Sequence, residues 1–266
     1  MNRNAFALPR EWIEGAGEIG RFCAHIIGRV FSARVFRFSG EALRQAGILI
    51  LSSTLVIWGL VFIIGLQCGI EGAYFNRAVG APAYAGVFSA WCDLRELIPY
   101  AFGYMMAAKV GTGIVAELGS MRISEEIDAL EVMGIDSITF LCATRLLAAW
   151  IVLPFMYIIA VGAGFFASYL AVVHQIGEVS SGGFFLIFWM FQNPPDLLYS
   201  VIKAMSMATV IVLVGCYYGY HARGGPVGVG TATAKSMVLN IVLVHLIGML
   251  GTQLFWGANP RAPIGG

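Results

Sequence analysis

Six carboxylates and one arginine crowd into twenty residues of a 266-residue chain: Glu117, Arg122, Glu125, Glu126, Asp128, Glu131 and Asp136. Carboxylates at this density can hold a metal ion, act as a general acid and base, or meet a basic partner. The first two readings lack companions. None of the four histidines (His25, His174, His221, His245), and no further carboxylate, lies at ligand spacing from the Glu125-Glu126 pair, and there is no H-E-x-x-H. No G-x-S-x-G elbow offers a nucleophile. The Lys235-Ser236 pair follows Ala234, so the Gly-Lys-[Ser/Thr] of a nucleotide loop is missing and ATP must be handled by another polypeptide. The five cysteines form no C-x-x-C. Cys68 and Cys92 could form a disulfide in an outer loop, with two free thiols as the plainer reading.

The elements that position these residues follow from composition. The chain is 59% hydrophobic and 12% charged, against roughly 45–50% and about 25% in soluble domains, which makes it a polytopic, all-α membrane protein. A net charge of +1 argues against nucleic acid as a partner. No cleavable signal peptide is visible. Residues 1–44 carry seven arginines. Ile19, Phe22, Ile26 and Val30 recur at steps of three and four, so residues 1–45 are expected to form basic amphipathic helices in the membrane interface, arginines toward lipid phosphates.

Residues 46–257 then form a five-span domain, with spans near 46–66, 97–117, 145–171, 197–219 and 236–256. Gly103, Gly111 and Gly113 give the second span a small-residue face for close helix packing. Residues 67–95 and 174–195 read as outer loops, the second carrying an aromatic interfacial run from Phe184 to Phe191. Residues 221–235 read as a tight glycine-rich loop and 258–266 as a flexible tail. Eleven of the sixteen Lys and Arg fall in segments that are inside if the N-terminus is inside, and three in the outer ones, which gives N-in/C-out.

That orientation puts the acidic cluster in the cytosol. Ser124 can cap a helix near 124–133, Glu125 and Glu126 occupy its first turn, and Gly134 can end it. Ile123, Ile127, Leu130 and Met133 follow helical spacing. An isolated helix this short is unstable in water, so it must dock on its own spans, on a partner, or on both. Acid where basic residues are expected suits a basic partner. Lys109 and Lys203 fall inside spans and Arg95 and Glu96 at the mouth of one, where ionisable groups are costly and point to function. Lys109 could pair with Glu117.

Ala116-Glu117-Leu118-Gly119-Ser120-Met121-Arg122-Ile123-Ser124-Glu125-Glu126-Ile127-Asp128-Ala129-Leu130-Glu131-Val132-Met133-Gly134-Ile135 closely resembles the signature of the MlaE/YrbE permeases, the membrane subunits of MCE-type ABC lipid transporters. Arg95-Glu96-Leu97-Ile98-Pro99 looks like that family's entry to the second span, and Asp196 through Lys203 like its entry to the fourth. The Gly215-Cys216-Tyr217-Tyr218-Gly219-Tyr220 run with Arg223-Gly224-Gly225-Pro226-Val227-Gly228-Val229-Gly230 looks like its last cytosolic loop. The resemblance covers about residues 20–257, and the tyrosine run looks most like the B-type actinobacterial (mycobacterial) YrbE subunit.

The resemblance implies a non-catalytic, multi-pass permease subunit in a bacterial inner membrane, importing lipid. It implies an A-type partner permease in a heterodimer, a cytosolic ABC ATPase dimer that uses ATP and Mg, and a hexamer of MCE proteins on the outer face. This chain would bind no cofactor. Glu117, Arg122, Glu125, Glu126, Asp128 and Glu131 would couple to the ATPase. Arg95, Glu96, Asp196 and Lys203 would serve the lipid pocket, Lys203 pairing with a lipid headgroup or with a carboxylate such as Asp196. A membrane-embedded lipid-modifying enzyme and a non-transporting scaffold for outer-face partners are the competing readings.

Overall fold

A computed structural model of the chain describes residues 7–259, with side chains from Glu14 onward. The proposed tail 258–266 lies almost wholly outside the described residues, as do Arg3 and the side chain of Arg10 in the basic N-terminal segment. Every regular element described is helical: α1 (Ala7–Val30), α2 (Ser39–Ala78), α3 (Gly86–Phe88), α4 (Ile98–Met105), α5 (Thr112–Ile123), α6 (Glu126–Val132), α7 (Thr144–Tyr169), α8 (Ser181–Met190), α9 (Pro194–Tyr220) and α10 (Gly225–Trp256). π-helical stretches at Ser89–Leu97, Met106–Gly111, Ile138–Ala143 and Leu170–Ile176 join several of them.

Four described helical runs are long and apolar enough to cross a membrane: Val35–Ala78, Ile138–Ile176, Pro194–Tyr220 and Gly225–Trp256. They contain the expected spans near 46–66, 145–171, 197–219 and 236–256. The expected span at 97–117 is helical too, but it is divided into α4, a π stretch and α5. The helices overrun the expected boundaries for one reason: absence of charge marks the apolar stretch of a helix, and the helix continues until a backbone signal stops it. Residues 67–78, expected in a loop, belong to α2. That helix ends just before Gly80, at a φ of 76°, and Pro82. The expected loop 221–235 shrinks likewise, because α10 begins at Gly225.

The chain divides into two compact units. The first comprises Met1–Ile48, Val110–Ala149 and Thr209–Asn240. Here α1 shows the expected periodicity, but its apolar face is covered by protein. Ile26 and Val30 are buried, and Phe22 lies edge-on to Tyr217 and His221, ring centroids 5.7 and 5.0 Å away. Arg29 forms an ion pair with Asp136. Burial, and then nearby Cys216, pushes the Cys23 thiol of α1 up to about 11.

The second unit comprises Leu49–Lys109, Trp150–Ala208 and Ile241–Gly266. Phe184, Phe188 and Phe191 pack with Ala90, Val172 and Val179. The Ser180 hydroxyl caps α8 by accepting from Gly183 N–H at 3.1 Å. Ten residues rise about 15 Å, half of a roughly 30 Å bilayer core, so α8 is a packed helix and not a span. Of the small-residue face expected in the second span, a Cβ on Gly103 would come within 3.1 Å of Val244, whereas one on Gly113 would meet nothing within 4 Å.

Candidate functional site

The second unit brings Arg95, Glu96, Asp196 and Lys203 together. Arg95 lies in the last turn of the Ser89–Leu97 π stretch and Asp196 in the first turn of α9. Arg95 donates to Asp196 through Nη2 at 2.7 Å and through Nε at 3.1 Å, and both residues are buried. The other carboxylate oxygen of Asp196 accepts from the Trp256 indole at 2.9 Å. The guanidinium carbon lies 4.4 Å from the ring centre of Trp91 and 5.4 Å from that of Trp256. Arg95 is therefore held by one carboxylate and two aromatic faces.

Seven residues along α9, just under two turns, Lys203 is 1% exposed. Its ammonium has three protons and three acceptors: the Arg95 carbonyl at 2.8 Å, Glu96 Oε2 at 2.8 Å and Thr252 Oγ1 at 2.7 Å. The carbonyl is available for a sequence reason. Pro99 carries no N–H, so Arg95 C=O lacks the donor that an α-helix supplies four residues on, and Lys203 supplies one. Thr252 hands its own proton to Glu96 Oε1 at 2.5 Å. Tyr100 covers the ammonium at 5.1 Å and lies so close to α10 that a Cβ on Gly248 would fall 2.2 Å from its hydroxyl. Only glycine fits there.

The expected Lys203–Asp196 pairing is thus corrected. Lys203 pairs with Glu96, and Asp196 with Arg95. Trp91, Tyr100, Thr252 and Trp256 are members of the site that sequence reasoning missed. The proline after Arg95 was the one local clue to any of these contacts. The Glu96 side chain is 34% exposed while Lys203 is enclosed, so the carboxylate is the part of this pair open to a ligand. Beside Arg95 in sequence, Asp93 is fully buried, no cation pairs with it among the described residues, and Cys68 and Ser168 are its neighbours. Cys68 and Cys92 touch as free thiols. The plainer reading of two free thiols is the one seen, in place of the possible disulfide, and both cysteines lie in helices and not in a loop.

The acidic segment lies in the first unit. Its helix is α6, and Ser124 does not cap it. The Ser124 hydroxyl donates back to Ser120 C=O at 2.9 Å and lies 2.9 Å from Glu126 Oε1, so it closes α5. The chain reverses at Glu125, whose φ of 62° is the only positive value among the described non-glycine residues. Gly134, at a φ of 76°, ends α6 as expected, with Ile135 N–H donating to Leu130 C=O at 3.0 Å.

The carboxylates divide into two groups. Glu117 pairs with Arg145 at 2.7 Å, which corrects the Lys109 pairing. Asp128 pairs with Arg122 at 2.6 Å, and Glu131 accepts from Ser137 at 2.7 Å and from Tyr220 at 3.1 Å. Glu125 and Glu126 form no ion pair among the described residues and are exposed, as are Ile123, Val132 and Met133. Ile127 is the buried anchor of α6. The exposed side of the segment is therefore two carboxylates without a cation among the described residues, beside three apolar side chains.

The sequence profile of a family described as Permease MlaE matches residues 42–254. A probable ABC transporter permease protein of Rickettsia bellii is 33% identical over 162 residues, 61% of this chain and 62% of that protein, so the chain spans less than two thirds of that relative. The intermembrane phospholipid transport system permease protein MlaE of Haemophilus influenzae is 27% identical over 95% of this chain and 97% of that protein. The chloroplastic TRIGALACTOSYLDIACYLGLYCEROL 1 protein of Arabidopsis thaliana is 29% identical over 81% of this chain and 59% of its own length.

Proposed function

The chain belongs to the Permease MlaE family, and on that premise we propose that it is the non-catalytic permease subunit of an ATP-driven lipid transporter in a bacterial inner membrane. A phospholipid, fatty acid or sterol is the cargo and import the direction. It has five spans, N-in/C-out, and works beside an A-type permease, an ABC ATPase dimer that uses ATP and Mg, and a hexamer of MCE proteins. The observation that carries this reading is the buried charge cluster. Arg95, Lys203, Asp196 and Glu96 sit where ionisable groups are costly, fully matched within the protein except for the open side of Glu96. A lipid headgroup that approaches Glu96 meets a site able to re-pair, because an amine or hydroxyl can take the carboxylate and a phosphate can take the ammonium.

Glu125 and Glu126, with Ile123, Val132 and Met133, form the surface offered to the ATPase, while Glu117, Arg122, Asp128 and Glu131 hold the segment in place. The test uses the complex in vesicles carrying a fluorescent phospholipid. Arg95→Ala and Lys203→Ala are expected to abolish ATP-driven lipid movement while the complex still assembles. Unchanged movement in both variants would favour the scaffold reading. Turnover of lipid by the purified chain without ATP would favour the enzyme.

A further inference from the structure

Tyr220, the last residue of α9, is the meeting point of the whole acidic segment. Its hydroxyl donates to Glu131 Oε1 at 3.1 Å and lies 2.8 Å from Ser137 Oγ, which donates to the same oxygen at 2.7 Å. Three oxygens share two protons, and a charged carboxylate draws both, so Glu131 is doubly held. The Tyr220 ring lies 5.7 Å under the Arg122 guanidinium, and Arg122 pairs with Asp128. The ring also packs against Phe22 of α1, centroids 5.5 Å apart. One side chain thus touches both ends of the α5–α6 segment: Arg122 before the reversal at Glu125, and Glu131 in the last turn of α6. Because Ser137 is buried and Glu131 exposed, the hydroxyl closes this network from its inner side.

We propose that Tyr220 is a positioning residue that ties the ATPase-facing segment to α9, the helix that carries Asp196 and Lys203. This rests on the permease reading above. A push on α6 is passed to α9 through the Glu131–Tyr220–Ser137 contacts and the Arg122 stack, and α6 has few other holds. It is seven residues long, too short to persist by itself, and Ile127 is its one fully buried side chain.

The test compares Tyr220→Phe, which keeps the ring and removes only the hydroxyl, with Glu131→Gln, which keeps an acceptor oxygen for both hydroxyls. In the reconstituted complex, Tyr220→Phe is expected to retain the ATPase subunit and to hydrolyse ATP, but to move about tenfold less lipid per ATP, the change expected for losing one hydrogen bond to a charged acceptor. Glu131→Gln, whose neutral acceptor keeps both hydrogen bonds at roughly half their strength, is expected to lower lipid moved per ATP in the same direction. A merely structural role would lower transport and hydrolysis together and leave their ratio unchanged. Amide hydrogen exchange across residues 126–132 gives a readout independent of transport and is expected to rise about tenfold in Tyr220→Phe by the same reasoning. If the parent complex moves no lipid, the permease reading fails, and the exchange measurement still decides the clamp. Exchange unchanged in Tyr220→Phe, or an unchanged ratio of lipid to ATP, overturns the proposal.

Discussion

Two buried carboxylates, Asp196 and Asp93, illustrate how differently one group can behave. Asp196 answers Arg95 and Trp256 with both oxygens. Asp93 is as deeply buried and has no cation. Removing one partner of a buried ion pair strands the other, at a cost of roughly 3–5 kcal/mol. Asp196→Asn is therefore expected to lower the thermal unfolding midpoint in detergent by several degrees. Asp93→Asn replaces a carboxyl beside a thiol and a hydroxyl with an amide of the same shape, and is expected to change stability by less than about 1 kcal/mol. Equal losses in the two variants would show that burial alone, not pairing, sets the cost. Residue identities were legible in the sequence here and pairings were not. Charged residues in an apolar chain identify themselves, but Arg95 and Asp196 are 101 positions apart, and which acid meets which base depends on helix rotation that no local pattern records. Tyr220 was invisible for the same reason, since one tyrosine in a run of aromatics carries no mark of the hydroxyl's partners.

At the scale of elements, uncharged stretches and three-and-four spacing gave the positions of the spans and of α1, because both are properties of a single helix. What covers a helix face is not. The face of α1 assigned to lipid packs instead on Tyr217 and His221, since an apolar stripe fits either environment equally well. The reversal at Glu125 also escaped sequence reading, which placed that residue inside the helix. A non-glycine residue in the left-handed region is strained by roughly 1–2 kcal/mol, and glycine adopts it freely. Glu125→Gly is therefore expected to leave the fold intact and to raise the unfolding midpoint slightly, while Glu125→Val lowers it. A loss of stability in the glycine variant would mean that the left-handed turn is not the conformation held in the membrane. Because Glu125 is also one of the two carboxylates without a cation among the described residues, the glycine variant separates backbone from charge. Weakened ATPase association alongside improved stability would assign the carboxylate to the partner.

For the whole molecule, the basic residues argue most directly for orientation. The asymmetry of eleven against three counts Arg29, Arg44, Arg122 and Arg145 on the inner side, which answer Asp136, Glu41, Asp128 and Glu117, and Arg77 and Arg95 on the outer side, which answer Glu178 and Asp196. Removing the paired residues on both sides leaves seven against one. The bias toward N-in/C-out therefore survives once internal pairs are discounted on both sides, and it rests chiefly on exposed residues such as Arg21, Arg37, Arg223 and Lys235. An alkaline phosphatase reporter, active only outside the cytosol, is expected to be active when fused after Gly257 and inactive when fused after Gly134. The reverse result would place the acidic segment outside, beyond the reach of any cytosolic ATPase. Activity at both positions would mean that an even number of crossings separates the fusion points, so that one of the three long apolar runs after Gly134 does not cross as assigned. The three crossings expected between those points are α7, α9 and α10, each apolar over more than the roughly 20 residues that a crossing needs.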